Sequence, residues 1–143
     1  MRFVADAMLG KLARWLRIIG YDTEYLPSAG DDELISAAEG GGRLLLTRDS
    51  ELFRRAVRRG VPAILIKSTT IVGELSEIAR TLGLKPSGET RCPLCNALLV
   101  EGGEGQGVPA RGEIWECPRC RKFYWHGTHW LKINETLEAS GLR

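Results

Sequence analysis

The chain has 143 residues, 43% of them hydrophobic and 27% charged, which fits one ordinary domain or one domain with a small module. No apolar run approaches the length needed to span a membrane, and Asp6 and Lys11 interrupt any leader-like apolar core, so a cytoplasmic setting is expected. The formal net charge of +2 is too small to name a partner.

In chain order, Arg2-Phe3-Val4-Ala5 reads as a strand running straight into Asp6. Leu9, Leu12, Ala13, Leu16 and Ile19 then fall at helical spacing, and Gly20 stands where a C-cap does. Residues 22–26 are β-rich, and a second helix opens on Asp31-Asp32-Glu33 with Leu34, Ile35 and Ala38 facing inward. Leu44-Leu45-Leu46 is a short apolar run bounded by polar residues, the pattern of a strand buried on both faces. Thr47-Arg48-Asp49 carries it into a third helix, whose buried face is expected to hold Leu52, Phe53, Ala56 and Val57. A strand at 63–66 and a helix with Ile71, Leu75, Ile78, Ala79 and Leu82 complete an alternation that predicts an α/β fold. Its sheet is parallel, with helices on both faces, over residues 1–86. Residues 85–88 read as a linker. Residues 89–132 read as a small ribbon with strands at 97–100, 114–116 and 122–125 around a Gly-rich loop at 101–112. Residues 133–143 read as a terminal helix or tail.

All four cysteines lie in that ribbon. Cys92/Cys95 and Cys117/Cys120 are two Cys-x-x-Cys pairs separated by 21 residues. Without secretion signals, this pattern favours a structural zinc over disulfides. Four thiolates would close the coordination sphere and leave no position for chemistry. The rival is a redox pair, but redox Cys-x-x-Cys motifs open helices, whereas these pairs enclose Pro93 and Pro118. His126 and His129 could serve as ligands but are not needed. The cluster from Tyr124 to Trp130 either packs the ribbon on the main domain or uses Trp125, His129 or Trp130 to stack a nucleotide base.

The acids Asp6, Asp31, Asp32, Asp49 and Glu51 are candidate ligands for Mg²⁺ or Mn²⁺, which prefer carboxylate and water oxygens. Strand ends gather ligands in open parallel sheets, which favours Asp6 and Asp49. Asp31 and Asp49 stand at helix starts, so capping explains either one as well as metal binding does. Asp6 is harder to explain as a cap, because Met8-Leu9-Gly10 intervene before the clear helical pattern. Two basic stripes, Lys11/Arg14/Arg17 and Arg54/Arg55/Arg58/Arg59, are either solvated faces or the cations that would hold a phosphodiester beside an acidic pocket.

The run from Phe3 to Arg17, the motif Leu46-Thr47-Arg48-Asp49, and the cysteine pairs with Tyr124-Trp125-x-Gly127-x-His129-Trp130 together resemble the Mut-seven C-terminal RNase domain family. The resemblance spans roughly residues 2 to 132. It implies a PIN-like nuclease fold with an appended zinc ribbon, and a metal site on Asp6, Asp31 and Asp49, with Asp32 and Glu51 as weaker candidates. It also implies cleavage that leaves a 5′-phosphate. PIN-like nucleases often have four acids, and Lys67-Ser68-Thr69 after the fourth strand offers none. The expectation is a divalent-metal-dependent ribonuclease that hydrolyses RNA by metal-activated water, with Lys11, Arg14 and Arg48 positioning the substrate. The alternatives are a non-catalytic RNA-binding module and a small-molecule phosphohydrolase.

Overall fold

The computed structural model describes residues 1–102, 114–125 and 128–142, with the backbone alone for 128–131. The expected Gly-rich loop falls almost entirely outside the described residues. So do His126 and the side chains of His129 and Trp130.

Four short strands form one parallel sheet: β1 (Phe3–Ala5), β2 (Thr23–Tyr25), β3 (Leu44–Thr47) and β4 (Ala63–Leu65), in the order β2-β1-β3-β4. Helices connect them: α1 (Gly10–Ile18), α2 (Asp31–Gly41) and α3 (Ser50–Arg58), with α4 (Ile71–Leu82) following β4. Strand alternation divides the interior. Phe3, Ala5 and Leu46 face a core shared with Leu12 and Leu16 of α1 and Leu75 and Ile78 of α4. Val4 and Leu45 face the opposite core with Leu34 and Ile35 of α2 and Leu52 and Ala56 of α3. The leucine run is therefore buried on both sides, as its composition predicts.

Strand order makes β1 and β3 the place where the chain reverses direction across the sheet. In doubly wound folds this is where a crevice opens beyond the carboxyl ends of the strands. Asp6 and Asp49 both follow those two strands. A cleft of about 380 Å³ lined by Arg2, Glu39, Arg43 and Val61 lies instead where strands begin, away from the acids.

Three expectations are corrected. Val57 is exposed, because Leu52 and Ala56 already cover the sheet and the next residue turns about 100° away from them. The terminal helix α5 starts earlier, at Thr128, and runs to Ala139. It is not a loose tail: Leu137 and Leu142 enter the core of α1 and α4, and the Ser76 hydroxyl donates to the Ser140 carbonyl at 3.2 Å. The first ribbon strand is shorter than expected. β5 covers Val100–Glu101, pairing antiparallel with β6 (Ile114–Glu116), which pairs with β7 (Phe123–Trp125). Arg91 and Leu98 make only an isolated bridge.

Candidate metal centre and acidic site

The two cysteine pairs sit on matching turns. In each, the residue four after the first cysteine is left-handed: Asn96 has φ 73° and Arg121 has φ 61°. Asn96 N donates to Cys92 O, and Arg121 N donates to Cys117 O, both at 2.8 Å. Cys92 N and Cys117 N then close the turns on Ala97 O and Lys122 O. Amides inside such turns point at sulfur, as Cys120 N does toward Cys117 Sγ at 3.2 Å. The four Sγ atoms all lie within 4.8 Å of one another, with Cys95–Cys117 at 3.4 Å and Cys92–Cys120 at 4.0 Å. A tetrahedron with zinc–sulfur bonds near 2.3 Å has edges of about 3.8 Å, so the donor set fits zinc in number, softness and spacing. Burial pushes the Cys92 thiol up, but the Tyr124 hydroxyl and the backbone amides of Cys95 and Leu94 outweigh it and hold it at about 7. Cys120 is pushed up to about 12 by its hydrogen bonds with the other cysteine sulfurs, Cys95 first, and by burial.

The first knuckle is bound directly to the α/β sheet. Buried Arg17 donates from Nε to Thr23 O at 2.9 Å and from Nη1 to Pro93 O at 2.8 Å. Asn96 Oδ1 accepts from Thr23 N at 3.0 Å, and its Nδ2 donates to Asp22 Oδ1 at 2.6 Å. Asp22 is in turn paired with Arg43 at 2.8 Å. Burial raises the Asp22 pKa, the bonds from Arg43 and Asn96 more than reverse this, and the carboxyl ends below its ordinary value.

At the other end of β1 and β3, Asp6 and Asp49 are joined through Thr47. The Thr47 hydroxyl donates to Asp6 Oδ2 and accepts from Asp49 N at 3.0 Å. Asp6 is 8% exposed, and its Oδ1 caps a 3₁₀ turn at Ala7–Leu9 by accepting from Met8 N at 3.2 Å. Asp6 is therefore a cap after all. The intervening residues Met8 and Leu9, which argued against this, are themselves the short turn it caps. Asp49 caps α3, with Glu51 N at 2.9 Å and Leu52 N at 3.3 Å both on Oδ1, which leaves Oδ2 as an available oxygen. Asp31 begins α2 one residue after the cap position, Gly30. It is paired with Arg55 at 3.2 Å, and Arg55 also holds Asp32. Glu51 is exposed and paired with Arg54 and Arg58. Among the described residues, only the cysteines form a set of three or more candidate ligands within 4.8 Å of one another. Asp6 and Asp49 share a hydroxyl bridge, while Asp31 stands apart on its arginine.

The Mut7-C RNAse domain model matches residues 1–137. The chain belongs to the Mut7-C RNAse domain family. No curated protein matches it.

In this Mut7-C RNAse domain the expected basic stripes separate into different roles. Arg17 is a buried strut to the ribbon, not a surface cation. The α3 arginines are all in ion pairs, Arg54 and Arg58 with Glu51, Arg55 with Asp31 and Asp32, and Arg59 with Glu39. Lys11 and Arg14 are exposed and carry no ion pair among the described residues. Arg48 is half-buried and donates to Glu74 Oε1 at 3.3 Å. Sequence reasoning gave no role to two residues of this region. Thr47 was visible inside the Thr-Arg-Asp motif, but nothing in the spacing says that its hydroxyl reaches Asp6. Glu74 lies at a polar position of an amphipathic helix, and only the fold shows that it is 8% exposed.

Proposed function

We propose that the chain is a divalent-metal-dependent ribonuclease whose site is built on Asp6 and Asp49, with Asp31, now paired with Arg55, as the third acid. The observation that carries this reading is the Asp6–Thr47–Asp49 bridge at the reversal point of the parallel sheet, in a chain matched to an RNase family over residues 1–137. Hard carboxylate oxygens are the donor chemistry that Mg²⁺ and Mn²⁺ select. Thr47 holds the buried Asp6 carboxylate, and the α3 amides hold Asp49 with one oxygen left for a cation. Asp31 would join by releasing Arg55 to Asp32. When bound, the divalent cation supplies charge stabilisation on the phosphate and a more acidic water. Lys11 and Arg14, exposed and without an ion pair among the described residues, bind backbone phosphates. Arg48 reaches the same rim from the residue between Thr47 and Asp49. Zinc on the four cysteines has a structural role: it fixes the knuckle that Arg17 and Asn96 tie to β2.

The test is incubation of the purified chain with single-stranded and structured RNA, with and without Mn²⁺, alongside simple phosphate esters. Metal-stimulated cleavage of RNA alone supports the proposal. Salt-dependent RNA binding without cleavage would instead support the binding-module reading, and ester hydrolysis would support a small-molecule phosphohydrolase.

A further inference from the structure

Glu74 is the buried acid for which the α/β core offers no structural reason. It lies in the first turn of α4, at the same end of the sheet as Asp6 and Asp49, with its side chain 10% exposed. Its backbone is fixed on every side. Thr70 Oγ1 caps α4 by accepting from Gly73 N at 3.1 Å. A Cβ on Gly73 would come within 2.7 Å of the Ser68 side chain, so the helix start presses directly on the preceding loop. The Glu77 carboxylate holds that loop from below by accepting from Lys67 N at 3.1 Å and from Ser68 N. Leu75 and Ile78 anchor the helix in the core. Glu74 therefore extends from a fixed backbone, and its side chain is folded in against Arg48 at 3.3 Å. Burial pushes its carboxyl up, while Arg48 and Lys11 pull it down and Glu77 adds to the rise.

The two cations in its field are Arg48 and Lys11, both assigned to the substrate backbone from sequence. A buried ion pair is a poor source of stability, since apolar residues of equal volume commonly serve as well or better. An orienting role explains why a charge is kept there.

We propose that Glu74 is a positioning residue that holds the Arg48 guanidinium at the rim of the Asp6–Thr47–Asp49 site, ready for a substrate phosphate. The proposal rests on the ribonuclease reading and adds a residue to it. Glu74 touches no substrate and acts through Arg48. The pairing also competes with phosphate for the guanidinium. Removing the Glu74 charge therefore loosens Arg48 and strengthens simple attraction to RNA, while the phosphate is less well placed for reaction. A misplacement of about 1 Å is enough to cost one to two orders of magnitude in rate.

The experiment compares wild type, Glu74→Gln, Arg48→Gln and the double variant by Mn²⁺-dependent cleavage of a single-stranded RNA. Glu74→Met, which fills the same space without hydrogen-bonding, is run beside Glu74→Gln to separate charge from shape. The expected result is that both Glu74 variants lower kcat by about tenfold and lower KM by a few-fold. In the Arg48→Gln background, Glu74→Gln should leave kcat unchanged, because the group it positions is already gone. A parallel fall in kcat and rise in KM, or a Glu74→Gln effect equally large without Arg48, would overturn the proposal in favour of a purely structural carboxylate. Should the wild type cleave no RNA, the ribonuclease reading itself fails, and metal-free RNA affinity decides on the Arg48–Glu74 hold. Tighter binding by Glu74→Gln that shrinks in the Arg48→Gln background supports the hold, and unchanged affinity overturns it.

Discussion

The contact between the first cysteine knuckle and β2 makes a quantitative prediction at Asn96. Its side chain accepts from Thr23 N at 3.0 Å and donates to the Asp22 carboxylate at 2.6 Å. A neutral hydrogen bond contributes about 1 kcal/mol and one to an ionised carboxylate about 1.5–3 kcal/mol. With Asp22 about one-fifth exposed, the two together are worth about 2–4 kcal/mol. Asn96 is left-handed at φ 73°, so Asn96→Gly loses the bonds but relieves strain, for a net loss of about 2–3 kcal/mol. Asn96→Ala loses the same bonds and adds about 1–2 kcal/mol of left-handed strain, so alanine is expected to be worse than glycine. Both variants keep the four cysteines and are expected to keep one zinc. The assays are urea unfolding of the zinc-loaded protein and amide hydrogen exchange at Thr23, which should quicken by roughly 30- to 150-fold in Asn96→Gly. If Asn96→Gly stays within about 0.5 kcal/mol of wild type, or if alanine is no worse than glycine, the knuckle is not anchored through this residue.

Four further outcomes follow from the same contacts. Elemental analysis should find one zinc per chain; much less, with all four thiols freely reactive in the native protein, contradicts the four-cysteine site. Chelating that zinc, or Cys92→Ser, should lower the melting temperature of the α/β sheet as well as the ribbon, because Arg17 and Thr23 lose their knuckle partners. Asp22 has a lowered folded pKa, so its stabilisation is present at neutral pH, above the unfolded carboxylate range, and is lost as pH falls through the depressed value. Asp22→Asn should flatten stability against pH in acid, and an unchanged slope refutes it. Charge reversal at Lys11 with Arg14 should weaken RNA binding and reduce its salt dependence more than reversal at the ion-paired Arg54 with Arg58, as read by anisotropy titrations at several salt concentrations.

Much of the fold was legible because its signals are local. The Leu44-Leu45-Leu46 run, the helical spacing of Leu9 through Ile19, and the strand–helix alternation each report burial directly, and all of them match the parallel sheet. The cysteine spacing carried the metal centre for the same reason. What was not legible depends on distant residues. Arg17 looked like one of three surface cations, and only the docked knuckle buries it against Thr23 O and Pro93 O. Asp6 looked uncapped because a 3₁₀ turn of three residues leaves no periodic trace. Glu74 sits at a polar helix position, and its partner Arg48 is 26 residues away in the chain. The Asp6–Thr47 bond spans 41 residues and follows from strand order, which spacing along the chain does not encode.

The central claim is tested most directly by Mn²⁺-dependent RNA cleavage in wild type, Asp6→Asn and Asp49→Asn, with melting of the metal-free proteins as the control. Asparagine keeps the accepting Oδ1 of both caps, so both variants are expected to remain folded, Asp49→Asn melting within a few degrees of wild type and Asp6→Asn lower, because its Nδ2 cannot accept from the Thr47 hydroxyl. It lacks the anionic oxygen that a divalent cation requires. The account predicts that both variants lose cleavage while remaining folded, and that they still bind RNA without metal. Wild-type cleavage by both would show that Asp6 and Asp49 only cap their helices, and it would contradict the acidic-site account.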